Sequence, residues 1–422
     1  MTVPKNAFYA QSGGVTAVIN ASACGVIETA RQHSARIGTV YAGRNGILGA
    51  LREELIDTSL ERPEDIAALR HTPAGAFGSC RYKLRGLDEN KAEYHRLIDV
   101  FAAHDIGYFF YNGGGDSQDT AHKVSLIGER LGYPLTAIGI PKTVDNDLIG
   151  TDCCPGFGSV AKYVALSTLE VGFDVRSMAA SSTKVFVLEV MGRHAGWIAA
   201  ASALAARSED DAPHIILLPE VPFRRDAFLD RVKAVVERVG FCVIVASEGL
   251  QDHEGGLLGT LGGADAFGHH QLGGVGPKIA ALCREVLGYK YHCAVADYLQ
   301  RAARHVASAV DVEQAYAVGK AAVEMAIDGY NAVMPVIERL SDEPYRWRVS
   351  AVPLDQVANV ERTLPAEFIR DDGFGVTPAA LRYLSPLIQG EDHPPWHDGL
   401  PQYVSLRNVL VPKRLQQTFE IN

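Results

Sequence analysis

Lys142, Asp145 and Asp147 share one short stretch, AIGIPKTVDND, at residues 137–147. Residues 137–140 are apolar, Pro141 stops the run, and a polar loop follows. An apolar strand feeding a charged loop is how an α/β sheet delivers reactive groups to its carboxyl edge. A cation beside two carboxylates points to phosphoryl transfer onto a hydroxyl. One carboxylate accepts the hydroxyl proton while the other orients the acceptor. The lysine supplies a mobile point charge to the phosphoryl group. Two residues apart on an extended segment, Asp145 and Asp147 point the same way.

Such chemistry needs a cradle for phosphate, and two candidates lie upstream. In AQSGGVTAVIN, residues 10–20, an apolar run ends and Gly13 and Gly14 precede a helical pattern. Glycines let backbone N–H groups approach an anion at a helix N-terminus, although a tight turn alone also calls for them. In YFFYNGGGDSQDT, residues 108–120, Gly113, Gly114 and Gly115 end an apolar run, and Asp116 and Ser117 follow. The glycines expose backbone donors, Ser117 adds a hydroxyl, and Asp116 suits Mg²⁺, which neutralises phosphate charge. Asp and Ser are also ordinary helix caps, but a cap does not call for three glycines.

The elements that position these groups follow from the hydropathy rhythm. Strands are expected at 7–11, 39–42, 107–111 and 135–140, with helices at 17–32, 91–103 and 119–131. The second half repeats the style. Strands are expected at 184–190, 214–218 and 242–246, and helices at 194–206, 225–239 and 309–329. The alternation predicts an α/β fold with two doubly wound, mainly parallel sheets. Residues 1–150 form the expected donor domain and 151–334 the expected acceptor domain, with the chain crossing back near 300. Residues 335–422, where proline becomes frequent, form a C-terminal extension that contains one more strand at WRVSAVPL. Residues 255–277 are glycine-rich and read as a mobile loop. Within them, GGVGPK lacks the spacing of a phosphate loop, and Pro277 suits the first position of a helix. His269 and His270 read as solvated, because no second ligand cluster accompanies them.

With 422 residues, 47% hydrophobic and 21% charged, the chain has ordinary globular usage. Its net charge of −10 argues against general binding to nucleic acid or to an anionic membrane. The longest apolar run, 197–206, is too short to span a bilayer. No signal peptide is evident. Seven cysteines without a CxxC pair read as reduced thiols in a cytoplasmic protein. Phe109, Phe110 and Tyr111 sit inside one strand and read as sheet core.

Taken together and in order, the motifs resemble those of the phosphofructokinases over residues 7–330. The pieces are SGG at 12–14, GSCR at 78–81, NGGGDS at 112–117, PKTVDND at 141–147, GTD at 150–152, EVMGR at 189–193, Glu248 after a strand, and YLQR at 298–301. The resemblance implies phosphoryl transfer to fructose 6-phosphate. It makes Asp145 the general base on the sugar 1-hydroxyl, with Thr143 and Asp147 around that hydroxyl. Met191, Gly192 and Arg193 would line the sugar-phosphate site, and Glu248 would hold sugar hydroxyls. Tyr298 and Arg301 would bind the 6-phosphate. Arg81, with Gly13, Gly14, Gly114, Gly115 and Ser117, would meet the donor. Lys184 and His292 stand where family members reach the sugar phosphate across a subunit contact, so a homo-oligomer, dimer or tetramer, is implied.

Two positions bear on the donor. ATP-using members carry a small residue at Lys142 and a glycine at Asp116, whereas pyrophosphate-using members have Lys and Asp there. A carboxylate at Asp116 would repel a nucleotide's α-phosphate, and Lys142 would compensate a small donor's fewer contacts. The resemblance therefore implies pyrophosphate as donor. An ATP-dependent kinase of the same fold and a catalytically silent paralogue are the rival readings. Family members commonly have an Asp at Gly115 that helps hold the metal, so the Mg²⁺ assignment here rests on Asp116.

Overall fold

The computed structural model describes residues 4–86, 88–264 and 270–420. The first half alternates strands and helices: β1 (Lys5–Ser12), α1 (Ile19–Gln32), β2 (Ile37–Gly43), α2 (Ile47–Arg52), β3 (Leu55–Asp57), α3 (Pro63–Ala68), β4 (Ser79–Cys80), α4 (Lys91–Ala103), β5 (Ile106–Gly113), α5 (Gly115–Arg130) and β6 (Thr136–Pro141). The long α6 (Phe157–Met178) then leads to β7 (Val185–Val190), α7 (Trp197–Ala201), β8 (Ile215–Leu217), α8 (Arg225–Val239) and β9 (Cys242–Ser247). After the pair β10 (Thr260–Ala264) and β11 (His270–Leu272) come α9 (Val275–Leu287), β12 (Tyr291–Val295), α10 (Asp297–Ala302) and α11 (Ala309–Ile327). The chain closes with β13 (Val333–Asp342) and β14 (Tyr345–Pro353), followed by two short α-helices, two 3₁₀ turns and a small antiparallel strand pair.

The strands form two main sheets among the described residues. The first runs β14-β13-β6-β5-β1-β2-β3, with the short β4 also pairing with β1. Its central strands are parallel, while β14 and β3 are antiparallel edges. The second runs β12-β7-β9-β8 and is parallel throughout. The doubly wound α/β expectation holds. β13 and β14 add to the first sheet, so the chain returns to it after building the second.

Burial explains why these runs are strands. β5, IGYFFYNG, is covered on both faces, as parallel strands between helix layers are. Phe109 stacks on Phe8 with ring centroids 5.7 Å apart, and Phe101 of α4 closes the cluster at 5.6 and 5.9 Å. Each such buried ring contributes roughly 1.5–3 kcal/mol over its exposed state. Phe109, Phe110 and Tyr111 are core, as the sequence indicated. All seven cysteines are free.

Three element boundaries differ from expectation. α5 starts at Gly115 rather than at 119, so Asp116 and Ser117 lie in its first turn. Glycine's poor helix propensity hid that start. α7 begins only at Trp197, after a turn whose Gly196 amide is held by Glu220, and passes into a 3₁₀ turn at Ser202–Ala205. Within 255–277, the flanks of the expected loop form β10, β11 and the start of α9, while 265–269, including His269, lie outside the described residues. Pro277 is the third residue of α9, not the first.

Candidate active site

Six parallel strands end at one cleft of about 1400 Å³. β1, β5 and β6 bring loops from the first sheet, and β7, β9 and β12 bring loops from the second. The sequence of each strand explains its contribution. An apolar run stops at a glycine, proline or polar residue, and the next residues turn into the cleft. Ligands of open α/β sheets bind outside the carboxyl ends of the strands.

The first-sheet side is built from backbone and paired charges. Gly113 is required by close approach, since a Cβ there would lie 2.1 Å from Ser117 Oγ. Gly114 caps α5, and Gly114, Gly115, Asp116 and Ser117 line the cleft at the positive end of that helix. Lys142 is buried and donates from Nζ to the Gly14 carbonyl at 2.6 Å. Burial pulls its pKa down to about 8, although Asp145 and Asp147 oppose that shift. Lys83, which sequence reasoning passed over, pairs with Asp116 at 2.5 Å. Its pKa is raised, chiefly by that hydrogen bond. Arg81 lines the same end.

The loop after β6 is held in one shape. Thr143 Oγ1 accepts from the Asp145 amide at 3.0 Å. Asn146 accepts from the Cys154 amide at 2.9 Å and donates to Tyr383 Oη at 3.1 Å. Asp145 and Asp147 both face the cleft. Burial first, then the Asp147 and Glu248 carboxylates, pushes Asp145 up to about 7, against the opposing pull of Lys142. Asp147 is also raised, by burial and then by Glu361. Its buried Oδ1 has no hydrogen-bond partner among the described residues. A group poised near neutrality inside a cleft is suited to accept a proton.

The second-sheet side is built from side chains. Met191, Arg193, Glu248, Tyr298 and Arg301 all line it. Arg301 stacks on the Tyr298 ring at 3.7 Å from the centroid. A Cβ on Gly14 would lie 2.7 Å from Arg301 Nη1, so this guanidinium reaches the turn after β1. Burial raises the Glu248 carboxyl, against the Gly192 backbone bond.

Three of the expected residues stand off the cleft in this chain. Gly192 shapes the turn instead. Its φ is +136°, and its carbonyl accepts from Ser247 Oγ at 2.6 Å. Lys184 immediately precedes β7, and His292 is the second residue of β12. Both therefore sit toward the amino ends of parallel strands whose carboxyl ends make the site. Lys184 Nζ donates to the Ala179 carbonyl.

Other cleft residues were missed. Glu189 inside β7 receives the Gly274 amide at 3.1 Å and the Gly276 amide at 2.7 Å. GGVGPK thus meets a protein carboxylate, and Gly273 and Gly274 become cleft wall. A glutamate inside an apolar strand is costly unless bonded, and that was the available signal. Asn359, Val360 and Glu361, from the C-terminal part, form a further wall. They carry no local motif.

No group of three or more His, Cys, Asp or Glu side chains suited to a metal occurs among the described residues. One carboxylate, Asp116, faces the donor-type end beside the α5 N-terminus. No helix among the described residues is long and apolar enough to cross a membrane.

The phosphofructokinase family model matches residues 6–326. A protein of Methylococcus capsulatus named pyrophosphate--fructose 6-phosphate 1-phosphotransferase is 66% identical over 99% of both chains. One of the same name from Halomonas elongata is 64% identical over 98% of each. Among solved structures, a pyrophosphate-dependent phosphofructokinase from Marinobacter aquaeolei aligns with a TM-score of 0.91. It is 62% identical, and the match covers 99% of this chain and 100% of that one.

Proposed function

The chain belongs to the phosphofructokinase family, and from that premise we propose that it transfers a phosphoryl group from pyrophosphate to the 1-hydroxyl of fructose 6-phosphate. The products are fructose 1,6-bisphosphate and phosphate. The donor bond offers less driving force than ATP, so flux runs in both directions.

The placement of Lys142 carries this reading. It lies between the Gly13–Gly14 turn and Asp145, at the junction of donor and acceptor ends. Pyrophosphate fits the glycine-lined end, where Arg81, Lys142 and the α5 N-terminus offset its charge. Fructose 6-phosphate fits the other end, its phosphate at Arg301 and Tyr298, and its hydroxyls at Glu248 and the Met191–Arg193 turn. Asp145 takes the proton of the 1-hydroxyl. That oxygen bonds to the nearer phosphorus as the bridging P–O bond breaks, and phosphate leaves. Asp147, with its unpartnered Oδ1, and Thr143 hold the hydroxyl in line.

Mg²⁺ belongs to the same proposal. A metal shared with substrate phosphates needs only one or two protein carboxylates, and Asp116 supplies one. Bound there, the ion would neutralise charge on the donor. Lys83 already pairs with Asp116, so the metal must compete with it. A homo-oligomer, in which Lys184 and His292 serve a neighbour's sugar site, and a cytoplasmic location complete the reading. Sedimentation analysis tests the oligomer.

A steady-state comparison of pyrophosphate and ATP, with fructose 6-phosphate and Mg²⁺, tests the central claim. Turnover with pyrophosphate and little with ATP is expected. Preference for ATP overturns the donor, and no turnover with either revives the silent paralogue.

A further inference from the structure

The segment after β14 crosses the mouth of the cleft, and it lies beyond residue 326, where the family match ends. It touches three walls. Asn359 donates to Asp119 of α5 at 3.1 Å. Glu361 pairs with Leu148 in an isolated bridge, and its carboxylate meets His194 Nδ1 at 2.8 Å. The Glu220 carboxylate accepts from both Leu364 and Gly196 amides at 2.9 Å, tying the segment to the turn before α7.

Arg362 is the centre of this strap. Its amide donates to the Asp147 carbonyl at 2.7 Å. Its guanidinium donates twice to the Asn146 carbonyl, at 3.1 and 2.9 Å, and to the Thr151 and Asp152 carbonyls, both at 2.9 Å. The same group lies 4.9 Å from the Trp197 ring centroid, and Trp197 Nε1 donates to the Arg362 carbonyl at 3.3 Å. One side chain therefore grips the backbone on the far side of Asp145 and Asp147 while resting on the residue that opens α7. The fork geometry of guanidinium suits several carbonyls at once, and an ammonium cannot reproduce it.

We propose that Arg362 is a positioning residue for phosphoryl transfer, fixing the loop that bears Asp145 and Asp147 against Trp197 at the start of α7. It touches neither substrate. It sets the distance between the base and the sugar hydroxyl, and misplacement by about 1 Å costs on the order of 10²-fold in rate. Loss of an arginine that only supported the fold would lower stability and leave turnover per folded molecule unchanged.

The inference rests on the phosphoryl-transfer reading, and the two fail differently. That reading fails if the wild-type chain is inactive with both donors, whereas this inference concerns the ratio of variant to wild type. Arg362→Ala and Arg362→Lys are compared in the full chain, with kcat and both KM values normalised to folded protein. The expected result is a kcat lower by on the order of 10²-fold in Arg362→Ala. KM for pyrophosphate and fructose 6-phosphate should stay within about threefold, and added guanidinium ion should restore part of kcat. Arg362→Lys should fall between the two and serves where Arg362→Ala does not accumulate. A kcat within twofold of wild type in either folded variant overturns the proposal. So does a KM rise that accounts for the whole loss. Failure of Arg362→Lys to fold also overturns it, because the residue would then support the fold at large.

Discussion

The two ends of the cleft solve the same problem, holding a phosphate, by opposite means. The first-sheet end uses glycines, a helix N-terminus and a lysine bound to a carbonyl, so its charges are partnered before any ligand arrives. The second-sheet end uses long side chains, with Tyr298 59% exposed and Arg301 stacked upon it. Backbone cradles are rigid and select for a small anion. Side-chain clamps adapt to a larger, asymmetric sugar phosphate. Between them lie Asp145 and Asp147, both raised first by burial, Asp145 then by the Asp147 and Glu248 carboxylates and Asp147 then by Glu361.

The contrast can be broken at its centre first. Asp145→Asn should lower kcat by about 10³-fold, in the range for loss of a general base. Product-inhibition constants should show sugar binding largely intact, and near wild-type turnover would remove Asp145 from its role. Next comes the rigid end. Lys142→Gly should lower pyrophosphate-dependent kcat by roughly 10²-fold. In the wild type, kcat/KM should rise with pH through about 7 as Asp145 loses its proton. It should fall above about 8 as Lys142 loses its charge. The variant should lack that alkaline limb, and retention of the limb assigns it elsewhere. At the adaptable end, Arg301→Gln should raise KM for fructose 6-phosphate about 30-fold, as loss of a charge-assisted hydrogen bond does. Its kcat should change far less, and an equal fall in both would mean that the clamp acts in the transition state.

The smallest effect concerns stability. A carboxyl raised in the folded state favours folding when protonated, so its ionisation penalises the fold increasingly above the unfolded value of about 3.9. The penalty is complete above about 7. Asp145→Asn should therefore melt about 2–4 °C higher than wild type at pH 8, and the gap should narrow at pH 5. Equal melting at both pH values would mean that the burial is not costly.

Much of this was legible because it is local. PKTVDND, NGGGDS and EVMGR each place strand end, turn and reactive group within a few residues, and all three lie on the cleft. The helix start at Gly115 was hidden by its own glycines. Lys83 was invisible because its partner is 33 positions away. Arg362 was hidden more deeply. Nothing in NVERT distinguishes it from a surface arginine until the tertiary fold brings Asn146, Thr151 and Trp197 around it. Lys184 and His292 were read from motif order as reaching a neighbouring subunit's sugar site, and they lie toward the amino ends of their strands, off this chain's own cleft.

The return of β13 to β6 also sets a schedule for making the molecule. Val333 pairs with Ile138 across a separation of nearly half the sequence. Until β13 leaves the ribosome, β6 remains an unpaired edge, the kind of surface that recruits stray strands. Loop closure over that separation is slow. The loop after β6 that bears Asp145 and Asp147 therefore gains its final neighbour only after residue 333 has been made.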